Sequence, residues 1–151
     1  MSRIKIDEWG IRLANVVSTR STCLRRQVGC VLLNSRGHIL ATGYNGVAAG
    51  ERHCNEWPHP YTHHPHACPG AGAPSGTNLD GCRAIHAEQN ALMQCRDVWE
   101  IETCYTTTSP CMTCVKLLLN TNCTRIVFKE DYAHTAAKTL WVESGREWVQ
   151  L

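Results

Sequence analysis

The sequence predicts an α/β fold, a three-layer α/β/α sandwich around a mixed five-stranded sheet. Its 151 residues are 43% hydrophobic, which is enough for one domain with a sizeable core. Two neighbouring apolar runs in the N-terminal third are typical of a hairpin of buried strands. From residue 86 onward, helical and strand patterns alternate, which indicates parallel strand pairs covered by helices. We therefore expect a single domain over residues 1–151.

Each element has its own pattern. Apolar residues at three- and four-residue steps predict an amphipathic helix over residues 4–18. Continuous apolar runs at 28–33 and 38–42 flank a turn-like segment and predict the two strands of the hairpin. The remaining pattern predicts helices at 86–95, 112–120 and 135–144, and strands at 103–107, 125–129 and 147–151.

An irregular insertion interrupts this order at about residues 50–82. It holds five of the six prolines and five of the eight histidines, namely His53, His59, His63, His64 and His66. Long loops in compact domains are uncommon unless they are functional or held by something, and no hydrophobic period is present to hold this one. A metal ion is a candidate for that role.

Charge and composition exclude several classes of protein. The net charge is +2, and no basic block is longer than Arg25-Arg26, so we expect no nucleic-acid partner, whereas a small anionic ligand is compatible. The N-terminal residues lack the apolar stretch of a signal peptide, and no run is long enough to span a membrane. Ten cysteines without a signal peptide favour metal ligands and buried thiols in a reducing compartment, which predicts a cytoplasmic location.

The chemistry is concentrated in two short motifs, His86-Ala87-Glu88 and Pro110-Cys111-Met112-Thr113-Cys114. Cys111 and Cys114 are three residues apart, so both sulfurs lie on one face of a first helical turn. Pro110 suits the first position of that helix, with Ser109 as its cap. The helix start favours the thiolate form that a metal requires.

His86 supplies a third ligand, which leaves the fourth tetrahedral position for water, as in a catalytic zinc site. His86 and Glu88 can converge on one metal only if a helix begins near them. The alternatives are half of a structural zinc ribbon, a reduced CxxC redox pair and an ordinary buried histidine. Glu88 favours the catalytic interpretation, since a structural site has no use for a carboxylate beside an open position.

The H-x-E and P-C-x-x-C motifs together resemble the signature of zinc-dependent nucleobase deaminases. The chain is similar to members of the cytidine deaminase superfamily. This resemblance implies a cytidine deaminase-like fold and a catalytic Zn²⁺ held by His86, Cys111 and Cys114. It also implies that Glu88 carries the proton from water to the ring nitrogen and then to the departing amine.

The stretch Gly43-Tyr44-Asn45-Gly46, with Gly50 four residues on, resembles that of phage and bacterial deoxycytidylate deaminases. The resemblance implies hydrolysis of dCMP to dUMP with release of ammonia, a hexamer, and a site at these residues for dCTP as activator and dTTP as inhibitor. The resemblance is also compatible with Mg²⁺ bound to the triphosphate at this site. Ala48 stands where the family usually has proline, so some loop rigidity is lost. The alternative for the motif is a plain Asn-Gly turn.

Three further residues are expected to contact the substrate. In these relatives the tyrosine matching Tyr132 packs against the pyrimidine, which implies the same for Tyr132; a surface tyrosine is the alternative. We expect Asn45 to reach the sugar and Arg26 to contact the phosphate, although a solvated surface charge is an equal alternative for Arg26.

The resemblance also implies a second, structural zinc held by Cys23, Cys54, Cys68 and Cys82. The five histidines of the insertion compete for that role, and a disordered loop with incidental thiols is the alternative. The other four cysteines fall in or beside core elements and are interpreted as small buried hydrophobic residues: Cys30, Cys95, Cys104 and Cys123.

Two rival functions stay open. A deaminase that acts on a base within a polynucleotide, such as a tRNA adenosine, uses the same zinc centre. A non-catalytic zinc-binding module is the second rival. The 43–46 motif and the lack of a basic groove favour a free nucleotide as substrate.

Overall fold

The computed structural model describes residues 1–56, 82–132 and 135–151. Its five strands form one sheet in the order β2-β1-β3-β4-β5. The strands are β1 (Gly29–Asn34), β2 (Ile39–Tyr44), β3 (Ile101–Thr108), β4 (Arg125–Glu130) and β5 (Glu147–Gln150). β1 pairs antiparallel with β2 and β3, whereas β3 pairs parallel with β4 and β4 with β5. The predicted mixed five-stranded sheet is confirmed.

Helices cover both faces of the sheet. They are α1 (Ile6–Ser18), α2 (Ala87–Gln94), α3 (Met112–Leu119) and α4 (Thr135–Glu143), with a short 3₁₀ turn at Val98–Glu100 that the sequence analysis did not predict. On one face, Ile11 and Ala14 of α1 pack with Tyr105 of β3. On the other face, buried residues of α2, α3 and α4 pack with Phe128 and its neighbours. The three-layer α/β/α sandwich is therefore confirmed.

A partly buried ion-pair network ties α1 to the sheet. Asp7 accepts hydrogen bonds from the Tyr105 hydroxyl at 2.7 Å and from two nitrogens of Arg125 at 3.0 and 2.8 Å. The hydrogen bond from Arg125 is the main cause that holds the pKa of Asp7 below its ordinary value. Burial, followed by the contact with Asp7, raises the pKa of Tyr105. The network therefore stabilises the ionised form of Asp7.

Most predicted boundaries differ from the structure by one or two residues, and α3 begins at Met112 as predicted, but its predicted cap is wrong. Cys111, not Ser109, is the residue that caps α3, and Pro110 precedes the helix. The Ser109 hydroxyl instead contacts Asp131 at 3.3 Å and accepts a hydrogen bond from the backbone N–H of Tyr132. Ser109 is thus used to hold the chain beyond β4.

Two further expectations concern burial. Cys30, Cys104 and Cys123 are buried as predicted, whereas Cys95 is only half-buried at the end of α2, where the chain leaves the core. In the ranges that the structure describes, no helix combines the length and the apolar character needed to cross a membrane. Most of the predicted insertion at about 50–82 lies outside the described residues.

Candidate active site

Two helix starts meet at one cluster of possible metal ligands. The Nδ1 atom of His86 lies 3.4 Å from the sulfurs of both Cys111 and Cys114. Ligand atoms of the three residues all lie within 4.8 Å of one another, and no other group of three such residues occurs in the described part of the chain. One imidazole and two thiols fit Zn²⁺, and they leave a fourth tetrahedral position for water.

The local structure explains this convergence. His86 is the N-cap of α2, and Cys111 is the N-cap of α3. The His86 backbone N–H donates to Oε1 of Gln89 at 2.9 Å, and an isolated bridge joins Ile85 to Gly46 just before it, with bonds of 2.8 and 3.1 Å. The His86 side of the cluster therefore lies on anchored backbone.

The charges within the cluster favour an ionised sulfur. A hydrogen bond from Cys114, with His86 adding to it, lowers the pKa of Cys111 to about 4 against the opposing effect of burial. The same sulfur–sulfur contact and burial raise the pKa of Cys114. The hydrogen bond to Cys111 raises the pKa of His86. One thiolate is thus already stabilised, and binding a metal through both sulfurs would release the proton of Cys114.

Glu88 lies beside this cluster in the first turn of α2. Its side chain is 3% exposed, and Oε1 accepts a hydrogen bond from the Thr106 hydroxyl at 3.0 Å. Burial is the main cause that raises the pKa of this carboxyl. A buried carboxyl with a raised pKa, next to a metal-ligand cluster, is suited to accept and return a proton.

A cleft of about 110 Å³ opens over the cluster and Glu88. Arg26 and Tyr132 both line it, and the guanidinium carbon of Arg26 lies 5.5 Å from the centre of the Tyr132 ring. Nη1 of Arg26 is buried and has no hydrogen-bond partner among the described residues. Because a buried unpaired donor is unfavourable, this geometry favours an anionic group of a ligand at Arg26.

Asn45 also lines the cleft, and it is only 8% exposed. Its Nδ2 donates to the carbonyl of Arg26 at 2.7 Å, and its Oδ1 accepts from the N–H of Val28 at 2.8 Å. Its own carbonyl accepts from the Ser21 hydroxyl at 2.8 Å. The amide therefore positions the backbone at 26–28, and a sugar contact would use its second N–H or second lone pair.

The motif at 43–46 forms the end of β2 and the two residues after it, and it packs against α2. A side chain at Gly43 would come within 2.4 Å of the Ala87 carbonyl and of the Ala91 backbone nitrogen, so only glycine permits this approach. The Tyr44 carbonyl accepts from Nδ2 of Asn90 at 2.8 Å, while the Tyr44 side chain is 37% exposed. The motif thus has packing roles in addition to its predicted nucleotide-binding role.

Gly50 has a different reason to be glycine. Its φ is +85°, a conformation that L-residues rarely adopt, and no atom of the described residues beyond its two chain neighbours lies within 4 Å of where a side chain would begin. Another residue at this position would therefore have a strained backbone.

A family model described as the cytidine and deoxycytidylate deaminase zinc-binding region matches residues 4–130. The chain belongs to this deaminase family. The deoxycytidylate deaminase of Mycobacterium phage D29 is 35% identical over 132 residues, which cover 87% of this chain and 99% of the phage protein. The deoxycytidylate deaminase of Schizosaccharomyces pombe is 33% identical over 136 residues, and there the chain spans only 40% of the relative's length.

Solved structures of the deaminase family share the fold. The dCMP deaminase of cyanophage S-TIM5, in a complex with dCMP and dUMP, aligns over 100% of both chains with a TM-score of 0.74 and 24% identity. At this identity the likeness establishes the fold alone.

The second zinc expected from the deaminase resemblance is not assembled by the described cysteines. Cys23 and Cys82 line the cleft, and Cys54 is buried, but these three form no ligand cluster like that of His86 within the described ranges. Cys68 and the four histidines at 59, 63, 64 and 66 lie outside the described residues. The remaining histidine of the insertion, His53, is described, and its backbone N–H donates to Oε2 of Glu56 at 2.9 Å.

Sequence reasoning missed Thr106 and gave Ser109 a different role in this site. Thr106 contacts Glu88, and Ser109 holds the backbone of Tyr132. Strand alternation was the available signal for Thr106, because it lies on the same face of β3 as Cys104, toward α2. No comparable signal existed for Ser109, whose contact crosses from the end of β3 to the end of β4.

Proposed function

We propose that the chain is a zinc-dependent dCMP deaminase, which hydrolyses dCMP to dUMP and releases ammonia. The cluster of His86, Cys111 and Cys114, with Glu88 in the same cleft, carries the proposal. It is supported by the name of the phage D29 relative, whose length the chain matches almost fully, and by the dCMP and dUMP in the cyanophage structure.

His86, Cys111 and Cys114 would hold Zn²⁺. When bound there, this ion lowers the pKa of water toward neutrality, so that hydroxide is available for attack on the amidine carbon. Glu88 accepts the proton of the water, transfers it to the ring nitrogen and then assists departure of the amine as ammonia. Burial of Glu88 keeps bulk water from competing for that proton.

The rest of the cleft fits a nucleoside monophosphate. We propose that Tyr132 packs against the pyrimidine, that Arg26 binds the phosphate and that Asn45 faces the sugar. The unpaired Nη1 of Arg26 supports the phosphate contact, since guanidinium donors pair strongly with phosphate oxygens. The position of Arg26 over the Tyr132 ring supports a single binding mode that uses both residues.

The proposed enzyme is also regulated by nucleotides. We propose that dCTP activates and dTTP inhibits, with Mg²⁺ on the triphosphate, through Gly43, Tyr44, Asn45, Gly46 and Gly50. The exposed Tyr44 side chain supports an accessible site. The hexamer, the second zinc, the single domain over residues 1–151 and the cytoplasmic location stay predictions.

A substrate panel tests the proposed activity. Zinc-loaded protein should change the ultraviolet absorbance of dCMP faster than that of CMP or deoxycytidine, and should leave a tRNA hairpin unchanged. Faster turnover of the hairpin would favour the polynucleotide deaminase instead. Bound zinc without turnover of any substrate would favour the non-catalytic module.

Glu88→Gln tests the proton carrier. The variant should retain its zinc and lose turnover, because the amide cannot accept the proton of water. Glu143→Gln, which changes an exposed glutamate at the end of α4, is the matched control and should retain turnover. A Glu88→Gln variant as fast as the wild type would exclude this role.

A further inference from the structure

Thr106 stands out among the buried polar residues because its hydroxyl touches the reacting carboxylate. It is fully buried on β3, between Cys30 of β1 and Phe128 of β4. Its Oγ1 lies 3.0 Å from Oε1 of Glu88 and 2.9 Å from the carbonyl oxygen of Thr108. The position of Thr106 is therefore held by strand pairing on both sides of β3.

The hydroxyl has one proton for two acceptors, so it donates to one of them at a time. The Thr108 carbonyl is neutral, whereas Glu88 is charged whenever it is ready to accept a proton. Because a hydrogen bond to an ionised acceptor is the stronger one, Thr106 donates to Glu88 in that state.

Thr106 holds this carboxylate from a different element of the fold. Its Oγ1 donates to Oε1 of Glu88 from β3, whereas Glu88 itself lies in the first turn of α2.

We propose that Thr106 is a positioning residue whose hydroxyl fixes Oε1 of Glu88 and leaves Oε2 as the oxygen that exchanges protons with water and substrate. This rests on the proposed deaminase function. The terminal torsion of a glutamate is broad, so packing alone does not fix which oxygen points where. A donor anchored in the central strand of the sheet does fix it.

Two variants separate the hydroxyl from the shape of the residue. Thr106→Val keeps the shape and removes the donor, and Thr106→Ser keeps the donor. Thr103→Val is the matched control, since Thr103 is a buried threonine of the same strand whose side chain alternates to the opposite face. Zinc content and the thermal midpoint establish that each variant is folded, and Thr106→Ala is a second hydroxyl-free variant if valine prevents folding.

The kinetic expectation is a selective loss of kcat. Thr106→Val should lower kcat for dCMP by about 10- to 100-fold, the usual range for losing a hydrogen bond to a charged group, with KM changed less than about threefold. Thr106→Ser should stay within about threefold of the wild type, because its donor is retained. Thr103→Val should leave both constants unchanged.

A second readout does not depend on turnover. The infrared carboxyl band of Glu88, assigned by its absence in Glu88→Gln, should shift to higher frequency in Thr106→Val and stay in place in Thr106→Ser. If the wild type does not deaminate dCMP, the proposed function fails, and this band alone decides the bond between Thr106 and Glu88.

Two outcomes would overturn the inference. A Thr106→Val variant with wild-type kcat and an unmoved band would show that the hydroxyl does not hold Glu88. Equal losses in the valine and serine variants would assign the effect to packing of the threonine methyl group instead.

Discussion

Replacing Arg26 by methionine should lower kcat/KM for dCMP while leaving the fold at least as stable as before. The buried Nη1 of Arg26 lacks a hydrogen-bond partner among the described residues. Removing such an unsatisfied donor gains about 1–3 kcal/mol, and losing the contact with the Tyr132 ring costs about 0.5–1 kcal/mol. The free energy of unfolding should therefore stay constant or rise by up to about 2.5 kcal/mol.

Although Arg26→Met should not destabilise the fold, it should weaken the binding of dCMP. A hydrogen bond between the guanidinium and a phosphate is worth about 1.5–3 kcal/mol, which corresponds to an approximately 10- to 150-fold lower kcat/KM for dCMP in Arg26→Met. Deoxycytidine has no phosphate, so its kcat/KM should be unchanged. The Asn45 contact is to the backbone of residue 26 and is retained in the variant.

Ultraviolet assays with dCMP and deoxycytidine, beside thermal melting, check both effects. Arg12→Met is the control, because Arg12 is exposed and paired with Glu8 at 2.7 Å on α1, away from the cleft. An equal loss with both substrates would refute the phosphate contact and indicate displacement of Tyr132. An unchanged kcat/KM for dCMP would place the phosphate elsewhere.

Three other changes test the fold and the metal sites. Asp7→Asn should lower the free energy of unfolding by about 1–3 kcal/mol near neutral pH, as measured by urea titration. Because the pKa of Asp7 in the folded protein lies below the ordinary 3.8, the stability difference between wild type and variant should shrink as the pH falls through that folded pKa. A difference that stays constant with pH would contradict the network. Gly43→Ala should lower the thermal midpoint by an amount equivalent to about 1–3 kcal/mol, since its new carbon meets the backbone of α2, and an unchanged midpoint would disprove that contact. Metal analysis should find about two zinc ions per chain, falling to one in Cys68→Ser, whereas a single ion in the wild type would remove the structural site.

The sequence was sufficient for the fold because each strand and helix has its own periodicity. The alternating pattern placed the elements within about two residues, and the motif spacing selected the three residues that the structure brings together, His86, Cys111 and Cys114. The two motifs are local signals, each set by the start of one helix. Their agreement made the cluster of possible metal ligands predictable.

The supporting contacts were not predictable because they join distant parts of the chain. Asn45 reaches back 17 to 24 residues to three different backbone or side-chain groups. Thr106 reads in the sequence as an ordinary strand residue, since threonine favours strands for its branched shape. Ser109 fits a helix cap equally well in sequence, and only the position of β4 draws it toward Tyr132. Such contacts depend on how elements pack, which no local pattern contains.

The segment at 44–46 shows why a motif can have two causes. The Tyr44 carbonyl holds Asn90 of α2, Asn45 holds the backbone of Arg26, and Gly46 pairs with Ile85 next to a metal ligand. The active site alone therefore constrains this segment, whether or not a nucleotide binds beside it. Conversely, the effector proposed to bind at the exposed side of the segment would act on two features of the site at once. One is the arginine proposed to bind phosphate, and the other is the backbone that leads into the metal centre.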